Sequence, residues 1–247
     1  MNNIATPEVM PLGGFPVIRS DNSTMVKILK ARMQQGQTAV FFANTNLIVK
    51  CQTLREAMNK PDTVIVNDGI GLDIASWLIH RRRFIENLAG TDFIPEFLQE
   101  IKTDAKVFLF GGKPNIAQRA ASILAKDFQI QVVGARNGYD EAKDTEKLIA
   151  EMNESKANII LVAMGNPYQE QWIVDHRHQL NASVLMGVGA FLDFLSGDKP
   201  RAPNLVRRLR LEWFYRLCLE PSRLFKRYTV DIAVFLRLCM QQGKSLR

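Results

Sequence analysis

The sequence predicts an α/β fold: a mostly parallel sheet with helices on both faces, followed by a basic helical appendage at the carboxyl end. Three observations predict it. Short apolar runs alternate with segments of helical spacing at least five times, the signature of successive strand–helix units. Several of those runs break into polar and glycine residues, as parallel strands do where their carboxyl ends open on a site. The charge is also divided: residues 199–247 hold 12 Lys/Arg against 3 Asp/Glu, and residues 1–198 hold 20 against 22.

Taken in order, residues 1–20 read as a lead-in with a short strand near Phe15–Ile18. Ser23–Gln35 fits a helix because Met25, Ile28, Leu29 and Met33 recur at helical spacing. Ala39–Ala43 is a buried strand ending in Asn44-Thr45-Asn46, and Leu47–Met58 returns as a helix. Val64–Val66 is the next strand; it breaks at Asn67-Asp68-Gly69, and Leu72–His80 is helical. Arg81–Gly90 is irregular, and Thr91 or Asp92 is the candidate N-cap of a helix over Phe93–Ile101. Lys106–Phe110 is a strand that ends in Gly111-Gly112-Lys113-Pro114, and Asn115 precedes a helix through Leu124. Ile130–Val133, Asn158–Ala163 and Ser183–Gly187 are further strands, with helices over Ala142–Asn153 and from Gln169 through His178. Pro200 and Pro203 mark a linker that separates a 1–198 core from a 199–247 appendage.

Composition narrows the class. A 247-residue chain with 47% hydrophobic residues buries a full core in one large domain or a domain with an appendage. Cys51, Cys218 and Cys239 have neither metal-ligand nor CxxC spacing, which favours a reducing compartment over a disulfide framework. No signal peptide and no transmembrane run of about 18 apolar residues is expected. The net charge of +7, carried by the tail, points to an anionic membrane surface or to nucleic acid.

Asp68 is the first candidate for chemistry, since ligands of open α/β sheets bind beyond the strand ends. The plainer reading is that Asp68 caps the helix that follows. Gly111-Gly112 suits a phosphate held on backbone N–H groups, with a tight turn as the default. Gly165, Asn166 and Pro167 shape a loop before Gln169 and Glu170, and the Gln169 amide suits a hydroxylated or phosphorylated ligand; an ordinary solvated helix start is the alternative. His80, His176 and His178 lie in no ligand pattern, so no metal site is expected, and the absence of GxGxxG disfavours a nucleotide-dependent oxidoreductase. Asn204–Met240 is helical, with Leu205, Leu209, Trp213 and Leu217 on its apolar side and Arg207, Arg208, Arg210, Arg216, Arg223 and Arg227 among its basic residues. It reads as an amphipathic membrane-interface segment rather than as a cap packed on the sheet, because aromatic, aliphatic and basic residues concentrate there.

The ordered motifs Asn44, Asp68-Gly69-Ile70-Gly71, Gly90-Thr91-Asp92-Phe93, Gly111-Gly112, Gly138-Tyr139, Gly165-Asn166-Pro167-Tyr168-Gln169-Glu170, Gly187-Val188-Gly189-Ala190-Phe191-Leu192-Asp193-Phe194, Arg201-Ala202-Pro203 and Glu220-Pro221-Ser222-Arg223 run over nearly the whole chain. Through them the chain resembles the WecG/TagA/CpsF family of bacterial glycosyltransferases. The resemblance implies a Rossmann-like α/β fold and an inverting transfer from a UDP-sugar to a polyprenyl-diphosphate-linked saccharide, without a cofactor or metal, peripherally at the cytoplasmic face of the bacterial inner membrane. It implies Asp68 as general base beside Gln169. It makes Asn44, Thr45, Gly111, Gly112, Tyr139, Gly165, Asn166 and Glu170 pocket residues, with Arg201, Arg216, Arg223 and Arg227 holding the lipid diphosphate. Phe42 stands where many members have Thr, and Asn87 where many have Arg. The segment around Phe42 is similar to the branch that adds glucose in xanthan- or acetan-type exopolysaccharide synthesis; an N-acetylmannosamine or N-acetylmannosaminuronate donor is the alternative. Nucleic acid is the partner of the competing, non-enzymatic reading of the basic tail and is not expected. The oligomeric state is open, self-association included.

Overall fold

The computed structural model describes residues 7–203, 205–206 and 211–245, apart from the side chains of residues 223, 227 and 242–245. The chain opens with a hairpin of β1 (Glu8–Leu12) and β2 (Phe15–Arg19), followed by α1 (Asn22–Met33) and β3 (Thr38–Ala43). Next come α2 (Thr45–Lys50), α3 (Arg55–Met58), β4 (Thr63–Asn67), α4 (Ile70–His80) and α5 (Gly90–Glu100). β5 (Lys106–Gly111), α6 (Ile116–Lys126), β6 (Gln131–Arg136), α7 (Thr145–Glu154), β7 (Ile159–Ala163), α8 (Tyr168–His176), β8 (Val184–Gly187) and α9 (Phe191–Leu195) complete the sheet and its cover. The tail forms α10 (Glu212–Leu219), α11 (Pro221–Tyr228) and α12 (Val230–Ser245).

The strands form one sheet in the order β1-β2-β4-β3-β8-β7-β5-β6. The β1–β2 pair is antiparallel; the remaining neighbours are parallel. Side chains alternate across this sheet as strand geometry dictates. Ala39, Phe41 and Ala43 join one apolar cluster with Leu47, Ile48, Leu72, Trp172 and Ile173. Val40 and Phe42 join the other, with Met25, Phe93, Phe97, Ile116 and Leu192. Helices therefore cover both faces, and the connections that leave the neighbouring strands β5 and β7 run in opposite directions, to β6 and to β8, the kind of switch point at which such sheets bind ligands.

Local expectations are corrected in five places. The lead-in holds a second strand, β1, paired with β2 from Glu8↔Arg19 to Leu12↔Phe15. The helix expected over Leu47–Met58 starts at Thr45 and breaks at Cys51, because the Gln52 side-chain amide donates to the Ile48 carbonyl at 2.6 Å and to the Gly13 carbonyl at 3.0 Å. Neither Thr91 nor Asp92 caps α5: its N-cap is Ala89, whose carbonyl accepts from the Asp92 and Phe93 N–H groups. The N-cap position of α4 falls on Gly69, at φ 97°, one residue past Asp68. A short helix, α9, follows Gly189, where only a glycine-bounded strand end was expected.

The tail is docked on the core through its last helix. Phe235 and Cys239, one turn apart on α12, are each 1% exposed and belong to the apolar cluster that contains Leu47 and Ile48 of α2. Leu224 of α11 is also buried. Arg207, Arg208, Leu209 and Arg210 lie outside the described residues.

Candidate active site

The carboxyl ends of β3, β4, β5, β7 and β8 open into a cavity of about 1280 Å³, roofed by residues of α10, α11 and α12. Asp68 lines it, directly after β4, and its backbone N–H donates to the Ala43 carbonyl at 2.7 Å. That bond extends the β3–β4 ladder one residue past the strand and sets the chain direction at the carboxylate. Gly69 then turns the chain at positive φ, a conformation open to glycine at little cost. Its N–H donates to Asn87 Oδ1 at 2.6 Å. The segment between α4 and α5 is tied to β4 by two more bonds, Leu88 N–H to the Asn67 carbonyl at 3.1 Å and Asn67 Nδ2 to the Glu86 carbonyl at 2.9 Å. A loop 18 residues away thus holds the turn that carries Asp68.

Asn44, at the end of β3, caps α2: its Oδ1 accepts from the Asn46 and Leu47 N–H groups at 3.0 and 3.1 Å. From Asn46 a polar chain crosses beneath the cavity. Asn46 Nδ2 donates to Asn166 Oδ1 at 3.2 Å, and Asn166 Nδ2 to Glu170 Oε1 at 2.6 Å. Gln169 Nε2 donates to the same Glu170 oxygen at 2.8 Å. Gln169 Oε1 accepts from the N–H groups of Gly165 and Gly189, at 3.2 and 2.8 Å. Gln169 is 2% exposed, and both ends of its amide are used to fasten the β7 and β8 loops. Burial pushes the Glu170 carboxyl up from its ordinary value, although its amide donors pull the other way, and the buried Cys51 thiol lies against it.

The floor at β5 depends on Gly111. A Cβ there would lie 2.2 Å from the Ala163 carbonyl oxygen, which accepts the Gly112 N–H at 2.8 Å. The Gly112 carbonyl in turn accepts from Gly138 N–H at 2.9 Å, bringing Tyr139 to the cavity. Phe42 and Asn87 also line it.

Of the residues expected from sequence, Asn44, Thr45, Asp68, Gly112, Tyr139, Gly165, Asn166, Gln169 and Arg216 line this one cavity. Gly111, Glu170 and Arg201 stand behind the wall. Gly111 is backed against Ala163, and Glu170 is fully buried under Asn166 and Gln169. Arg201 reaches the rim from outside, donating to Thr91 Oγ1 at 3.2 Å and Asp92 Oδ1 at 2.9 Å. The side chains of Arg223 and Arg227 lie outside the described residues.

Sequence reasoning did not single out Lys113, Asp193 and Lys199, which line the same cavity. Burial pushes the Asp193 carboxyl up, while Lys199 and Lys113 pull it down. Arg216 sits 4.6 Å from the Phe194 ring centroid and pairs with Glu212 at 2.6 Å. The signal for Lys113 was present, a lysine directly after a strand-end glycine pair. Nothing local marked Lys199. Ile70 and Ile74 of α4 and Ile232, Phe235 and Leu236 of α12, two helices that pack on each other, add apolar lining.

Among the described residues no group of three or more His, Cys, Asp or Glu side chains is placed to hold a metal ion, and no helix is long and apolar enough to cross a membrane. A family model described as Glycosyl transferase WecG/TagA/CpsF family matches residues 10–247. The chain belongs to the WecG/TagA/CpsF family of glycosyltransferases, whose activity is on polyprenyl-linked sugars.

Proposed function

We propose that this chain is an inverting hexosyltransferase that moves glucose from UDP-glucose to a polyprenyl-diphosphate-linked saccharide in exopolysaccharide assembly, as a peripheral protein on the cytoplasmic face of the inner membrane. The observation that carries this reading is the mixed lining of the cavity. A carboxylate stands at the end of β4, cations stand at Lys113, Lys199 and Arg216, and apolar side chains of α4 and α12 join the same lining, a chemistry that suits a prenyl diphosphate.

In this mechanism Asp68 accepts the proton of the acceptor hydroxyl as that oxygen attacks C1 of the sugar. The new C1–O bond forms on the face opposite the leaving group, the bond from C1 to the UDP oxygen breaks, and the configuration inverts. Charge grows on the departing diphosphate. Lys113, Lys199 and Arg216, with the amino ends of α6 and α8, supply the opposing charge. Gln169 acts as a positioning residue, since its amide is occupied in holding the loops of Gly165 and Gly189. Arg201 positions the rim through Asp92. Arg223 and Arg227 serve the acceptor diphosphate from the tail.

The test is a panel of UDP-sugars, UDP-glucose and UDP-N-acetylmannosamine among them, offered with a short-chain prenyl-diphosphate glucose acceptor. The reading requires transfer from UDP-glucose and a product of inverted anomeric configuration. Transfer from UDP-N-acetylmannosamine alone replaces the donor; a retained configuration removes Asp68 from the role of base.

A further inference from the structure

α4 starts at the site and leaves it with an apolar face exposed. Ile74, Trp77 and Leu78 are 49, 46 and 45% exposed, and Ile85, just beyond the helix, is 48% exposed. Ile74, Trp77, Leu78 and Arg81 are spaced i, i+3, i+4 and i+7, so they form one stripe along the helix. The Arg81 guanidinium lies 5.6 Å from the Trp77 ring centroid. One turn before the stripe, Ile70 lines the cavity, as does Ile74. At 1.5 Å per residue the row from Ile70 to Arg81 runs roughly 16 Å outward from the cavity mouth. Residues 74–85 contain Arg81, Arg82 and Arg83 and no acidic residue. Arg82 is paired with Glu8, and all three arginines are exposed. α12 lies against α4 and exposes Val234 and Met240.

We propose that this face of α4 is a docking surface for an anionic lipid bilayer, separate from the basic tail and continuous with the cavity mouth. Trp and Leu flanked by arginines are the side chains that settle at the headgroup boundary, with apolar bodies in the acyl region and cations on lipid phosphates. A second copy of the chain is the poorer occupant: a two-fold contact there sets the Arg81–Arg83 run against itself. A bilayer supplies the opposite charge and lies where a lipid-borne acceptor enters. The inference rests on the proposed lipid-linked acceptor for that last point alone.

The experiment floats the full-length chain with phosphatidylcholine vesicles, with and without phosphatidylglycerol. Two double variants are compared with the parent: Trp77→Ser with Leu78→Ser, and Arg81→Ser with Arg83→Ser. None of the four residues lines the cavity. The apolar pair is expected to weaken binding to phosphatidylglycerol vesicles at least about tenfold, ~1.4 kcal/mol. The basic pair is expected to remove most of the preference for phosphatidylglycerol. Transfer to a water-soluble short-chain acceptor stays at the parental rate in both, which reports an intact fold and site.

Binding within about twofold of the parent in both pairs overturns the proposal. So does a parent that ignores vesicles, or a parental dimer that the apolar pair dissolves while vesicle binding stays. Should the apolar pair not fold, Trp77→Ala alone and the basic pair decide by the same criteria. Loss of vesicle binding in the variants of a parent that transfers no sugar keeps the docking surface and sinks the transferase reading. Transfer with unaltered vesicle binding does the reverse.

Discussion

Asn87 Oδ1 accepts the backbone N–H of Gly69 at 2.6 Å, and this bond is what fixes the turn after Asp68. The N–H belongs to the N-cap position of α4, a donor with no carbonyl partner inside the helix, and Gly69 has no side chain of its own to cap with. Asn87 therefore acts as a cap delivered from the following loop. Asn87→Ala is expected to cost about 1 kcal/mol of stability and to lower kcat/KM several-fold, because the carboxylate it steadies loses its fixed direction. Thermal unfolding and steady-state kinetics on the same preparation check both halves.

Gln169 binds three partners with one amide: Gly165, Gly189 and Glu170. Gln169→Ala leaves two backbone donors and a buried carboxyl without that partner. The expected loss is about 1–3 kcal/mol per stranded group, read as a lower urea midpoint, with activity falling alongside. Activity lost at unchanged stability would instead make Gln169 a residue that touches substrate.

Glu170 should give the fold a pH dependence. Burial raises its carboxyl above the ordinary 4.5, so the folded chain holds a proton that the unfolded chain releases. That contribution is complete below about 4.5 and is lost as pH rises through the raised value. Glu170→Gln keeps an acceptor for Asn166 and Gln169 and has no proton to lose. Urea midpoints measured from about pH 4.5 upward should fall in the parent relative to this variant. A constant difference across that range contradicts the assignment.

The last helix belongs to the core it covers. Phe235, 1% exposed in the cluster with Ile48, is expected to cost about 3–5 kcal/mol on Phe235→Ala, measured by denaturant unfolding. Removing residues 199–247 should therefore expose α2 and destabilise the sheet domain, as well as altering membrane association. Little change in stability after Phe235→Ala would show a loosely attached tail.

The parallel sheet was legible because each strand is a short apolar run, as in Val64-Ile65-Val66, with an abrupt polar or glycine end. Asp68 was legible for the same reason. The turn at Gly69 and its bond to Asn87, a partner no local pattern names, were not legible. β1 was not legible: Glu8-Val9-Met10-Pro11-Leu12 lacks a clean alternation, and its pairing with β2 supplies the strand. Gln169-Glu170 reads locally as a solvated helix start. Its burial follows from β7 lying beside β8, which places Gly187 and Gly189 against the Gln169 side chain. The break at Pro200 and Pro203 was legible, but the docking of α12 was not, since it depends on Phe235 and Cys239 meeting α2 across nearly 200 residues of sequence.

The central claim is that Asp68 is the base. The most direct measurement is the single-turnover rate of sugar transfer by purified Asp68→Asn, with donor binding and thermal unfolding measured in parallel. The account predicts a rate lower by about 10²–10⁴-fold at near-parental donor affinity and unfolding temperature. A rate close to the parent's, in a folded variant that binds donor, would contradict it.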